Sequence, residues 1–153
     1  MKKILWFVLS IVICFSTSFF GSQVTMPAIN GWYANINKPF FNPPNWVFAP
    51  VWTLLFFLMA ISLYLILIQP KKNIKAIILF ITQLIFNFLW SFTFFYLQNP
   101  LLAFINILVL IALVFLTYKE FIKINKTASI LLLPYLAWIS FASILNLAIV
   151  LLN

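Results

Sequence analysis

The chain has no histidine, no arginine and no aspartate, and its single acidic residue is Glu120. Without imidazole it lacks the side chain that titrates near neutrality, which removes the commonest acid–base catalyst and the commonest metal ligand. A haem iron would find no imidazole to bind. No Asp or Glu falls inside the apolar runs, so the proton relays of ordinary membrane pumps have no carriers. Cys14 stands alone within the first apolar run. It offers no disulfide framework and no zinc motif, and it has no partner base to make it a nucleophile. Charge is scarce as well: 7% of 153 residues, against about a quarter in soluble domains. Ten charged side chains cannot cover a soluble particle of this size, so a water-soluble domain is excluded, and the missing residue types leave ordinary enzymology poorly supplied.

What is present is hydrocarbon: 66% hydrophobic residues, with nineteen Phe and six Trp. Spanning about 30 Å of hydrocarbon takes ~20 apolar residues at helical rise. Five runs of that kind occur, at about 4–26, 46–68, 76–97, 101–118 and 128–152. Strands are disfavoured, because an open sheet edge cannot be satisfied in lipid and the runs lack barrel-like alternation. The expected fold is an all-α integral membrane bundle of five transmembrane helices, a single domain over residues 1–153. The first run, after Lys2-Lys3 and before Ser16-Thr17-Ser18, has the look of a cleavable signal peptide. It continues through Phe19-Phe20, longer than a signal core, and is read as a retained helix.

The net charge of +8 would suggest nucleic acid in a soluble protein. Here the lysines sit in short connections, so they report orientation and no nucleic-acid partner is expected. Lys2, Lys3, Lys71, Lys72, Lys75, Lys119, Lys123 and Lys126 fall on one side of a five-span topology, and Lys38 alone on the other. That asymmetry places the N-terminus in the cytoplasm and the C-terminus outside. Glu120, among these lysines, reads as a solvated charge.

The one long connection, 27–45, carries Pro27, Pro39, Pro43 and Pro44 together with Trp32, Tyr33, Phe40 and Phe41. It is too apolar for a free linker, and its prolines restrict it. It reads as a folded lid over the mouth of the bundle, with Lys38, Pro39, Pro43 and Pro44 at the mouth; an interfacial aromatic belt is the plainer alternative.

Few polar side chains lie within the spans. Gln83, Asn87, Trp90 and Phe94 share one face of the third helix by their spacing, and Tyr135, Trp138, Ala142, Leu145 and Asn146 form a similar stripe on the fifth. Trp52, Phe56, Met59 and Leu63 do so on the second, Asn106 lies early in the fourth, and Gly21 and Ser22 are small residues near the end of the first. The amides serve either as interhelical hydrogen bonds, each worth ~1 kcal/mol, or as polar contacts in an aromatic ligand cavity. Pro134 is either a kink or a first-turn residue.

Several stretches resemble the translocator protein family, also known as the TspO/peripheral benzodiazepine receptor family of tryptophan-rich sensory proteins. They are Trp32-Tyr33, Lys38-Pro39, Pro43-Pro44 and Phe48-Ala49-Pro50-Val51-Trp52-Thr53, then Gln83…Asn87…Trp90, then Pro134-Tyr135-Leu136-Ala137-Trp138 with Ala142 and Asn146. The resemblance implies a five-helix bundle, commonly a homodimer, that binds protoporphyrin IX and other tetrapyrroles, and in some members isoquinoline carboxamides. It implies ligand-binding roles for Trp32, Tyr33, Trp52, Phe56, Asn87, Trp90, Trp138, Ala142 and Asn146, to which the pattern above adds Gln83 and Asn106. It further implies a light-dependent breakdown of protoporphyrin in bacterial members, with Trp52 and Trp138 as the matching tryptophans. The absence of Arg and the Asn- and Lys-rich composition suggest a bacterial member. The cholesterol motif of animal members has no counterpart after Ala142, where neither a Tyr nor a basic residue follows. The expected function is a receptor or carrier for porphyrin in a bacterial cell membrane, without intrinsic cofactor; photodegradation and ligand-responsive regulation are the alternatives.

Overall fold

The computed structural model describes residues 2–70 and 73–153. Lys71 and Lys72, which enter the charge asymmetry, lie outside the described residues. The described chain is helical throughout: α1 (Lys2–Ile29), α2 (Trp32–Asn35), α3 (Asn45–Leu67), α4 (Ile74–Ser91), a π-helical turn (Phe92–Tyr96), α5 (Pro100–Ile122), α6 (Lys126–Ile130) and α7 (Leu133–Leu152). Five stretches are long and apolar enough to cross a membrane: α1, α3, α4 with its π turn, α5, and α6 with α7. The surface is built for lipid. Ile4, Val12, Phe19, Leu54, Ile78, Leu101, Ile105 and Ile144 are exposed, while Ser10, Ser62, Gln83, Asn87, Thr117 and Asn146 are buried. This inversion suits a solvent of hydrocarbon, where polar groups are satisfied inside and apolar ones can face out.

Side-chain amides start three of the helices. Asn73 Oδ1 accepts from the Ala76 N–H at 3.1 Å, Asn99 from Leu102 at 3.0 Å and Asn125 from Ala128 at 3.0 Å. Each satisfies an N–H that the first helical turn leaves without a partner. Pro134 breaks the fifth span in two. It lacks an N–H and its ring excludes the carbonyl of Ile130, so the continuous helix expected over 128–152 is instead α6, a short turn, and α7 with proline in its first turn. Pro27 lies inside α1, which runs three residues past the expected end at Met26.

The third span ends differently from a regular helix. After Ser91 the ladder slips to π spacing, with the Leu97 N–H donating to Phe92 O at 3.0 Å. Gln98 then takes φ 52°, and the Asn99 N–H closes on Thr93 O at 3.1 Å. A left-handed residue followed by a bond closing back on the last turn is a helix stop that usually employs glycine, here one residue wider than usual because of the π turn. A side chain there costs roughly 1–2 kcal/mol. Gln98→Gly should therefore raise stability by about 1 kcal/mol, read as an increased melting temperature; a decrease would show that the amide side chain holds the turn.

The spans pack so that α1 lies between α3 and α4, α4 against α5, and α5 against α6 and α7. At the end carrying Lys75, Lys119 and Lys123, the lysine end, α6 packs on α3 and Ser62 Oγ donates to Ala128 O at 2.7 Å. Phe80 and Phe121 stack at 5.7 Å between α4 and α5. Glu120 is not solvated as expected. It is only 9% exposed and receives Lys75 Nζ at 3.0 Å and Lys123 Nζ at 2.9 Å, joining the start of α4 to the end of α5. Toward the other end α7 diverges from α3, and the gap between them is where the chamber lies.

Candidate functional site

The chamber has a volume of about 410 Å³, within the range of roughly 300–1,000 Å³ usual for small-molecule sites. Its walls come from four spans and the 30–44 connection. Trp52 and Phe56 enter from α3, Asn87 and Trp90 from α4, Phe94 and Phe95 from the π turn, and Trp138, Ala142 and Asn146 from α7. Thr17, Ser18, Gly21, Ser22 and Thr25 line it from α1. Small residues on that face let α1 approach α4: a methyl at Gly21 would already lie 3.6 Å from Ser91 Oγ.

The polar groups are positioned by one another. Asn87 Nδ2 donates to the phenol of the fully buried Tyr135 at 2.8 Å. Trp90 Nε1 donates to Asn146 Oδ1 at 3.0 Å, and Asn146 Nδ2 to Pro100 O at 2.7 Å. This relay ties α4 to α7 and α7 to the start of α5, so the Trp90 indole is held in one orientation. Trp90 also stacks on Phe94 at 5.4 Å. Trp52 packs against Phe56 at 5.7 Å and Tyr135 at 6.2 Å, and Trp138 against Phe48 at 6.2 Å. Aromatic walls in offset or edge contact present faces to a flat guest.

The loop seats Tyr33 in the wall. Tyr33 is 5% exposed, packs on Phe94 and Phe95 at 6.1 and 5.7 Å, and donates its hydroxyl to Asn42 Oδ1 at 3.0 Å. Burial pushes its phenol above the ordinary value, with the bond to Asn42 opposing, so it stays neutral. Lys38 knots the loop: its Nζ donates to the carbonyls of Tyr33 at 2.6 Å, Ile36 at 3.0 Å and Ala34 at 3.4 Å, and lies 4.9 Å from the Tyr33 ring centroid. The far side is clasped to α7. The Asn37 N–H donates to Asn153 Oδ1 and Asn153 Nδ2 to Asn37 O, both at 2.9 Å. Asn153→Ala should speed amide exchange at Asn37 by about tenfold; an unchanged rate would show that the clasp does not restrain the loop.

Of the residues singled out from the sequence, Tyr33, Trp52, Phe56, Asn87, Trp90, Trp138, Ala142 and Asn146 meet in this wall. Trp32 stands behind it, edge-on to Phe94 at 5.6 Å. Gln83 is one turn away along the Asn87 face, 1% exposed, with only Met59 Sδ at 3.9 Å as partner. Asn106 donates to Phe86 O at 2.9 Å, an interhelical bond. Lys38, Pro39, Pro43 and Pro44 shape the loop without lining the chamber, whereas Asn42 and Asn45 do line it. Phe40 and Trp46 are exposed, 100% and 75%, as an aromatic rim would be. The α1 face and Phe95 were not foreseen as wall residues.

Comparison with known proteins follows the same outline. The family model described as the TspO/MBR family matches residues 10–152. A tryptophan-rich protein TspO of Archaeoglobus fulgidus is 49% identical, covering 99% of both chains. A tryptophan-rich sensory protein of Cereibacter sphaeroides is 36% identical over 80% of this chain and 77% of its own. A translocator protein of Ovis aries is 33% identical over 84% of this chain and 78% of its own. A five-span bundle whose chamber is walled by Trp52, Trp90 and Trp138, with a match over nearly its full length, belongs to the TspO/MBR family.

Proposed function

We propose that the protein is a membrane receptor or carrier for a flat aromatic ligand of the tetrapyrrole class, such as protoporphyrin IX, held in the chamber. The observation that carries this reading is the convergence of Trp52, Trp90 and Trp138 from three helices on one void of about 410 Å³, with the neutral amides of Asn87 and Asn146 beside them. Indole faces stack on a macrocycle, each aromatic pair adding roughly 0.5–1.5 kcal/mol beyond buried area. The names of the relatives, sensory and translocator proteins, agree with a binding role. In this reading the lysine end faces the cytoplasm and the loop end the outside of the cell, following the charge asymmetry.

The test is a titration of the purified protein with protoporphyrin IX in the dark, following tryptophan fluorescence. Saturable quenching that weakens in Trp52→Phe plus Trp138→Phe supports the reading. Unchanged binding in that double variant removes the chamber as its place. A second reading, light-dependent oxidation of the bound porphyrin with dioxygen as oxidant, is favoured by Trp52 and Trp138 lining the same void from α3 and α7. Illuminating the saturated complex decides it: decay of porphyrin absorbance no faster than without protein eliminates the enzyme.

A further inference from the structure

Among the described residues, the chamber wall holds no lysine and no carboxylate, and its only ionisable side chain is the neutral phenol of Tyr33. The one lysine of the connecting loop is already spent. An ammonium has three N–H groups, and Lys38 Nζ has three carbonyl partners, those of Tyr33, Ile36 and Ala34. Turning it toward a ligand carboxylate would undo the knot that seats Tyr33 in the wall.

The neutral polar groups are unevenly committed. The Trp90 indole N–H and one N–H each of Asn87, Asn146 and Asn42 have an acceptor within the protein, while the second N–H of each amide and the indole N–H groups of Trp52 and Trp138 have none among the described residues. The hydroxyls of Thr17, Ser22, Thr25 and Thr53 donate to carbonyls of their own helices. Each of these hydroxyls still carries lone pairs, and among the described residues Asn87 Oδ1 accepts from no protein group. Ser18, Ser91 and Asn45 add neutral side chains that serve either polarity. The surface offered to a guest is aromatic and uncharged, with both donors and acceptors left for it.

We propose that this chamber selects by charge, taking the uncharged part of a flat aromatic ligand and leaving any ionised group outside at the mouth. The proposal deepens the tetrapyrrole reading and rests on it. For a porphyrin it means that the uncharged macrocycle is buried and that the propionates contribute little to affinity. A buried carboxylate without a paired cation is strongly disfavoured.

Two ligand pairs test it with the unmodified protein in nanodiscs of zwitterionic lipid. The first is protoporphyrin IX against its dimethyl ester, and the second a fused-ring aryl carboxamide against the carboxylate of the same ring. The expected result is an ester that binds at least as tightly as the acid, a carboxamide favoured over its carboxylate by about tenfold, and no dependence on salt. Either acid binding about tenfold more tightly than its neutral partner, with the gap closing at high salt, overturns the proposal. If neither porphyrin binds but the carboxamide is still favoured, the tetrapyrrole reading fails and the charge rule stands. Binding of none of the four overturns both.

Discussion

Ala142→Phe should weaken ligand-induced tryptophan quenching by more than about tenfold while leaving the protein folded. Ala142 is 9% exposed and borders the chamber between Trp138 and Asn146 on α7. A phenyl ring projected from it has a void of about 410 Å³ to enter. Over-packing costs roughly 1–3 kcal/mol where neighbours must move. Here the void offers room, and the ring gains contacts the alanine lacks, so the melting temperature should hold or rise. Ala103→Phe supplies the contrast. Ala103 is fully buried on α5 in the cluster of Tyr33, Phe94 and Ile149 and does not itself line the chamber. The same change there should lower stability by the full over-packing cost, about 1–3 kcal/mol. Full-strength quenching by protoporphyrin IX in a folded Ala142→Phe protein would place the ligand elsewhere. Normal stability of Ala103→Phe would show that packing arguments fail for this bundle.

The spans and the wall stripes were readable because they depend on composition and period alone. Apolar length set five helices, and the 3.6-residue repeat set which side of α4 and α7 faces inward. Period fixes direction around a helix but not depth along it. Gln83 and Asn87 therefore looked equivalent, yet Asn87 reaches the chamber and Gln83 lies one turn away among Met59 and its neighbours. Asn106 needed the position of Phe86 O on another helix, which no single-helix pattern contains. Phe95 escaped because the π turn breaks the period on which the stripe was drawn, so that Phe94 and Phe95 both reach the wall. The α1 face did carry a signal. Thr17, Gly21 and Thr25 recur every four residues with Ser18 and Ser22 beside them, a small polar stripe in an otherwise bulky apolar helix. Glu120 was misjudged because its partner Lys75 is 45 positions away in sequence, across the α4–α5 contact.

Opposite signs are expected for two neighbouring amides: Gln83→Leu should stabilise the protein by about 1 kcal/mol, and Asn87→Leu should destabilise it by about 1–3 kcal/mol. Both side chains sit on one face of α4 and both are buried, Gln83 at 1% and Asn87 at 6% exposed. Gln83 Oε1 has no hydrogen-bond partner, and its nitrogen reaches only the weak acceptor Met59 Sδ at 3.9 Å. Leucine removes a desolvated acceptor and fills similar space, so the amide's desolvation cost is recovered. Asn87 instead satisfies Tyr135, whose side chain is fully buried and whose hydroxyl accepts at 2.8 Å. Removing Asn87 strands that phenol in a medium without water to replace the bond. Adding Tyr135→Phe to Asn87→Leu should then cost less than the two single changes summed, because the hydroxyl left unpaired by the first is deleted by the second. Thermal unfolding in one detergent measures all four variants. A loss of stability in Gln83→Leu would mean that Oε1 holds an ordered water, which needs two or more polar partners. Additive losses at Asn87 and Tyr135 would mean that their bond carries no coupling. The amide that binds Tyr135 also presents Oδ1 to the chamber, so the anchor for the helices and the acceptor for a ligand are two ends of one side chain.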